Sequence, residues 1–247
     1  MEIHQHSHPH QKKTWKEYAW EFVMLFLAVF CGFLAEYKLE HVIENQKEKQ
    51  YIQSLVADLK IDQEVITKHL SDVRHSAFML DTLVGILNRP LDISKRTSDL
   101  YYLVRLAPRL APLSTNSRTF EQLKNSGNFR LIRDINTSNK IMAYYERFPL
   151  IRTLENINET EFTEYKKIAA KIFDPAIFLK MEGNNDEIRR DAENPPLRST
   201  DHELLQELSV FAVYIHGTRK GIIGTSEQIK SQGAELLKYL EEQYHLD

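Results

Sequence analysis

The chain has 247 residues, with 32 basic and 35 acidic side chains and a formal net charge of −3. That near-neutral balance excludes the concentrated positive field of a nucleic-acid-binding protein. Eight Gly and eight Pro are too few for a turn-rich β sandwich, and the single cysteine, Cys31, excludes an internal disulfide, a CxxC redox pair and a Cys-rich zinc site.

Residues 1–17 form a polar leader with His4, His6, His8 and His10 at alternate positions. In an extended chain these imidazoles share one side and could gather Zn²⁺, Ni²⁺ or Cu²⁺. No Cys or carboxylate completes a rigid zinc motif, so the plainer expectation is a tail with incidental metal affinity and no cofactor.

Residues 18–36, within "YAWEFVMLFLAVFCGFLAEY", read as a transmembrane helix. From Tyr18 to Ala35 such a helix is roughly 27 Å long, close to a hydrocarbon core of about 30 Å. Its Phe, Leu and Val residues favour insertion by about 4 kcal/mol in sum, and Glu21 lies near one end, where its penalty is small. Trp15, Tyr18 and Trp20 at one boundary and Tyr37 at the other match the aromatic belts of membrane interfaces. A cleaved signal peptide would need small residues that Phe33 does not supply, and a lipoprotein would need a small residue where Phe30 precedes Cys31. The expectation is an uncleaved anchor. Lys12, Lys13 and Lys16 balance Lys38, Lys47 and Lys49, and the reading adopted puts the N-terminus in the cytoplasm and the body outside it. At helical spacing Glu21, Leu25, Ala28, Gly32 and Ala35 share one side, where the Ala28/Gly32 pair would let two copies approach closely.

Residues 37–247 read as a helical bundle domain with a long first helix over 37–88. From Ile52, apolar residues recur every seven positions at Ile52, Leu59, Ile66, Val73, Leu80 and Leu87. The interleaved positions are Leu55, Asp62, His69, Ser76 and Leu83, a heptad pattern with a polar middle expected to be partly solvated. Pro90 ends the helix. A short helix is predicted over Ser94–Leu106, and another in "TNSRTFEQLKNSG", stopped by Gly127. A longer one should run from Asn136 or Thr137 to Phe173 with a kink or break at Pro149. After a polar loop, Thr200 and Glu203 have capping-box spacing ahead of a last helix that carries Leu204, Leu208, Phe211, Ile215, Ile222, Ile229, Leu236 and Leu240. No segment alternates convincingly as a strand. The fold expected is all-α: an N-terminal transmembrane helix continuing into an antiparallel bundle of long helices.

Catalytic motifs are not legible in this sequence: it has no Gly-rich phosphate loop, HExxH or nucleophile elbow. Arg130 and Arg133 could hold an anion, but pairing with Asp134 and Glu121 is the simpler use. The segments "WEFVMLFLAVFCGFLAEY", "EKQYIQSLVADL" and "TFEQLKNSGNFRLIRD" together resemble a group of uncharacterised single-span membrane proteins from Bacteroidota. The resemblance covers roughly the first 150 residues and implies an integral membrane protein of a Gram-negative envelope, with no assigned activity. Its matching positions Phe120, Leu123, Ser126, Gly127, Asn128, Leu131, Ile132 and Arg133 are implied to be fold-defining.

The functional expectation is a non-enzymatic, single-pass protein of the inner membrane. It would act as an envelope scaffold or sensor through association with itself and with other membrane or envelope proteins. A membrane-tethered cytoplasmic adaptor and a metal-handling protein using the His-rich leader are the two competing readings.

Overall fold

The computed structural model describes residues 14–183 and 187–246, and they are helical almost throughout. Helix α1 (Trp15–Leu87) is followed by a 3-10 turn (Pro90–Lys95), α2 (Thr97–Leu106), α3 (Arg118–Asn125) and a second 3-10 turn (Asn128–Leu131). Then come α4 (Ile135–Tyr145), α5 (Phe148–Ile172), α6 (Pro175–Lys180) and α7 (His202–Tyr244). The extended pairing is confined, among the described residues, to one antiparallel bridge between Glu182 and Ile188. Contacts divide the chain into two compact units, residues 1–50 and residues 51–247.

In the first unit, helix from Trp15 onward exposes its apolar side chains. An 18-residue stretch is long and apolar enough to cross a membrane, and 0 % of it is buried. Phe22, Phe26 and Phe30 stack along one side at centroid spacings of 6.5 and 6.0 Å, as aromatic residues four apart on a helix can.

The second unit is built on the heptad. Ile52, Leu59, Ile66, Val73, Leu80 and Leu87 are all at most 1 % exposed. The intervening Leu55, Asp62, His69, Ser76 and Leu83 are buried too, so the polar middle is not the partly solvated seam that the sequence suggested. Polar bonds show what covers this face. Lys60 pairs with Glu241 at 2.8 Å, Arg74 with Glu227 at 2.5 Å, and His216 Nε2 lies 3.2 Å from Asp81. Numbers rise on α1 as they fall on α7, so the two helices are antiparallel.

Helices α4 and α5 also run against α7: Thr137 meets Tyr239, and Asn158 meets Arg219. Of the kink or break expected near Pro149, the structure has the break: two helices separated at Glu146 and Arg147. Pro149 sits in the first turn of α5, where its missing N–H costs nothing. The last helix also starts one residue later than the capping-box spacing implied. Asp201, not Thr200, is its N-cap, accepting from the N–H groups of Glu203 at 2.8 Å and Leu204 at 3.5 Å. Helix α6 was not foreseen; Asp174 caps it through the Ala176 N–H at 2.8 Å.

Two apolar clusters fill the second unit. One joins Leu80, Leu83, Tyr101, Tyr165 and Ile215, and the other joins Leu55, Leu59, Tyr144, Ile229 and Leu240. Between them, in register on α1, α5 and α7, lies a polar layer centred on Arg219, which is fully buried. Its Nε donates to Ser76 Oγ at 3.0 Å, Nη1 to Asn158 Oδ1 at 2.7 Å and Nη2 to the Pro108 carbonyl at 2.7 Å. Ser76 Oγ donates in turn to the Ala107 carbonyl at 2.7 Å. Desolvation lowers the Arg219 pKa to about 10, against the opposing influence of Glu161, so the side chain stays cationic at neutral pH. Arg219→Met removes the buried charge but leaves Asn158 Oδ1 and the Pro108 carbonyl without this donor. The variant should lose about 3 kcal/mol of unfolding free energy in urea titrations, and a loss under about 1 kcal/mol would show that the layer does not hold the bundle.

Candidate functional site

Asp58 and Asp62 lie one turn apart on α1 and face the connector that leads into α3. Ser117, the N-cap of α3, makes no side-chain cap bond. The α1 aspartates take over that task. Asp58 accepts from Asn116 Nδ2 at 2.6 Å and from the Thr119 N–H at 3.1 Å, with exposed Arg118 3.6 Å away. Asp62 accepts from the Asn116 N–H at 2.7 Å and from the Tyr144 hydroxyl at 3.4 Å. Burial, reinforced by the charge of Asp58, pushes the Asp62 carboxyl up to about 6 although both hydrogen bonds oppose it. Burial and the charge of Asp62 push the Tyr144 hydroxyl up, keeping it protonated as a donor. A carboxyl pair with one raised pKa can exchange a proton near neutrality, but here the oxygens are committed to holding α3 and α4 on α1.

His69, the other polar seam residue singled out in the sequence, is buried and its Nε2 has no hydrogen-bond partner among the described residues. Desolvation lowers its pKa, with the charge of Arg219 acting the same way against that of Asp72. It is held neutral.

The residues matched in the resemblance form a corner between α1, α3 and α4. Phe120 stacks on Tyr145 at 4.1 Å and meets Phe129 edge-on at 5.7 Å. Leu123, Leu131 and Ile132 are buried. Ser126 Oγ donates to the Gln122 carbonyl at 2.6 Å, closing the end of α3. Gly127 takes a left-handed φ of 69°, a conformation costly for other residues, and turns the chain. Asn128 Nδ2 donates to the Tyr51 hydroxyl at 2.8 Å. Arg133 is exposed. Asp134 accepts from the Thr137 hydroxyl at 2.6 Å and the Tyr239 hydroxyl at 2.9 Å and caps α4 through the Asn136 and Thr137 N–H groups, bonds that together hold its pKa down to about 2.

In the first unit Glu21, Leu25, Ala28, Gly32 and Ala35 are all exposed. His4, His6, His8 and His10 lie outside the described residues. Among the described residues no group of three or more His, Cys, Asp and Glu is placed to hold a metal ion.

A feature the sequence did not announce is a cavity of about 500 Å³ in the second unit. Val104 of α2, Phe162, Ala169 and Phe173 near α5, and Phe178 of α6 supply apolar walls. Arg105, Arg109, Lys166 and Arg198 supply the polar part, and no lining residue is acidic. Arg105 Nη1 donates to the Phe178 carbonyl at 2.5 Å and its other nitrogen pairs with Glu182. Lys166 Nζ stands 4.5 Å from the Phe162 ring centre, and Arg198 Nη1 reaches the Ala170 carbonyl at 3.4 Å. These four cations come from α2, the connector after it, α5 and the loop before α7, so no local spacing joins them.

Asp62 has a folded pKa above its unfolded value, so its ionisation destabilises the fold as pH rises through about 6, and that burden disappears as pH falls toward 4. Asp62→Asn keeps an acceptor for Asn116 and removes the charge. Its thermal stability relative to wild type should be higher by about 1–2 kcal/mol at pH 8, with the gain vanishing below pH 4. Taking the difference cancels the opposite slope contributed by His69, and a pH-independent difference would refute the assignment. Compared with known proteins, the chain matches no family model, no curated protein and no solved structure.

Proposed function

We propose that the chain is a single-span protein of the inner membrane, of the kind the Bacteroidota resemblance implies, and that it works without catalysis, by association. Residues 18–36 anchor it, the stripe Glu21, Leu25, Ala28, Gly32 and Ala35 joins copies, and the helical body stands on the extracytoplasmic side as a scaffold or sensor for other envelope proteins. The observation that carries this reading is that none of the apolar stretch of α1 is buried. A core helix of the same composition would have its Phe and Leu side chains covered; here Phe22, Leu25, Phe26 and Phe33 are 57–68 % exposed. Leaving that much apolar surface in water is unfavourable by about 25 cal/mol per Å², and a bilayer removes the cost. The use of buried Asp58, Asp62, Asn158 and Arg219 as clasps between segments favours a structural role for the body.

The protein should stay with membranes through alkaline carbonate extraction, with an intact mass that retains the apolar stretch. In a Cys31→Ser background, a cysteine at exposed Gln243 should react with a membrane-impermeant maleimide once the outer membrane alone is permeabilised. Release into the soluble fraction would end the anchor reading, and labelling only after inner-membrane lysis would put the body in the cytoplasm as an adaptor. A side chain added at Gly32 meets nothing within 4 Å of its own chain. Gly32→Ile should therefore leave the monomer intact and reduce crosslinked oligomer by about tenfold, the loss of roughly 1.4 kcal/mol of helix association; an unchanged crosslinking pattern would exclude this stripe.

A further inference from the structure

We propose that the cavity between α2, α5 and α6 binds a single-chain amphiphile with one anionic head group, a fatty carboxylate or an alkyl phosphate. This is independent of how the protein is anchored. The cavity volume, about 500 Å³, lies within the range of small-molecule sites. Its walls divide into two chemistries. Val104, Phe162, Phe173 and Phe178 offer hydrocarbon and ring surface with no donor to satisfy, a setting that suits an alkyl tail.

The polar part is of one sign. Arg105 is committed to the Phe178 carbonyl and to Glu182, which fixes it as part of the wall. Arg109 and Lys166 are exposed and lie on the cavity with no carboxylate among its lining residues, and the bond of Arg198 to the Ala170 carbonyl is long at 3.4 Å. Three cations gathered at the edge of an apolar recess repel one another until an anion joins them, and guanidinium groups match carboxylate and phosphate oxygens in pairs. A neutral hydrocarbon would leave that repulsion in place, and a small inorganic anion would leave the apolar walls wet. Only a ligand with both parts answers both.

The test uses the full chain in phosphatidylcholine nanodiscs and an octanoate probe that carries a terminal diazirine, with adducts mapped by peptide mass spectrometry. Adducts should fall in the α2, α5 and α6 peptides and be suppressed by excess octanoate. Hexanoate should compete about tenfold less well, at roughly threefold per methylene. Octanol and acetate, each lacking one half of the ligand, should not compete at the concentration where octanoate halves the labelling. Octyl phosphate distinguishes the head groups: stronger competition than octanoate assigns the site to a phosphate monoester, weaker competition to a carboxylate. Ala170→Trp, which fills the recess from an exposed position, and the pair Arg109→Glu with Arg198→Glu should each lower labelling at least tenfold with unchanged thermal melting. Adducts spread over the surface, octanol competing as well as octanoate, or full labelling of the charge-reversed variant would overturn the proposal. Failure of carbonate-resistant membrane association would bear on the anchor alone.

Discussion

A guanidinium buried among helices is tolerated only when its donors are matched, and the body of this protein is arranged around one such group. Arg219 reaches α1 through Ser76, α5 through Asn158 and the connector after α2 through Pro108. Four segments are thereby fixed by a single side chain. The constraint is one of register. Along α7, Leu208, Ile215, Ile222, Ile229 and Leu236 repeat every seven residues, as do the apolar residues of α1, so hydrophobic burial alone would accept a slide by a heptad. Such a slide would set Arg219 against Leu83 in one direction and against His69 in the other, in either case away from Ser76, Asn158 and Pro108. The polar layer makes one alignment much better than its neighbours, the use of buried polar groups best attested in coiled coils.

That register also explains the two columns of the α7 seam. The column Leu205, Ala212, Arg219, Ser226, Gly233 and Leu240 is buried throughout, and it runs antiparallel to Leu55, Asp62, His69, Ser76 and Leu83 on α1. Where α1 and α4 carry bulk, α7 is small: a Cβ built on Gly233 would come within 2.4 Å of Gln63 Nε2 and 3.0 Å of the Tyr144 ring. A side chain there would displace the end of Gln63 and press on the Tyr144 ring. Gly217 and Gly224, by contrast, have open space around them.

Much of this scaffold was legible because it depends on periodicity and on chain breakers, which act locally. The seven-residue spacing identified the buried face of α1, Pro90 its end, Gly127 the turn after α3, and Pro149 the place where α4 gives way to α5. What could not be read depends on side chains far apart in sequence. Asp62 and His69 looked like half-wetted seam residues because nothing nearby says that Asn116 and Tyr144 will cover Asp62. Arg219 sat unremarked in a charged patch of α7, since its meaning requires Asn158 and Pro108. The cations around the cavity are likewise distant from one another in sequence, so that no motif could announce them. Thr200 and Asp201 are both good caps, and only the backbone path decides between them.

The capping of α3 from outside has a consequence for how the body comes together. An eight-residue helix with an unused Ser117 cap is too short to persist alone in water. Its first turn is completed by Asp58, a residue that precedes it by 61 positions and belongs to another helix. Helix α3 is thus not an element that forms early and docks afterwards, for docking itself supplies the acceptors that make it a helix. Its order is borrowed from α1, and it should fold and melt as part of the same cooperative event.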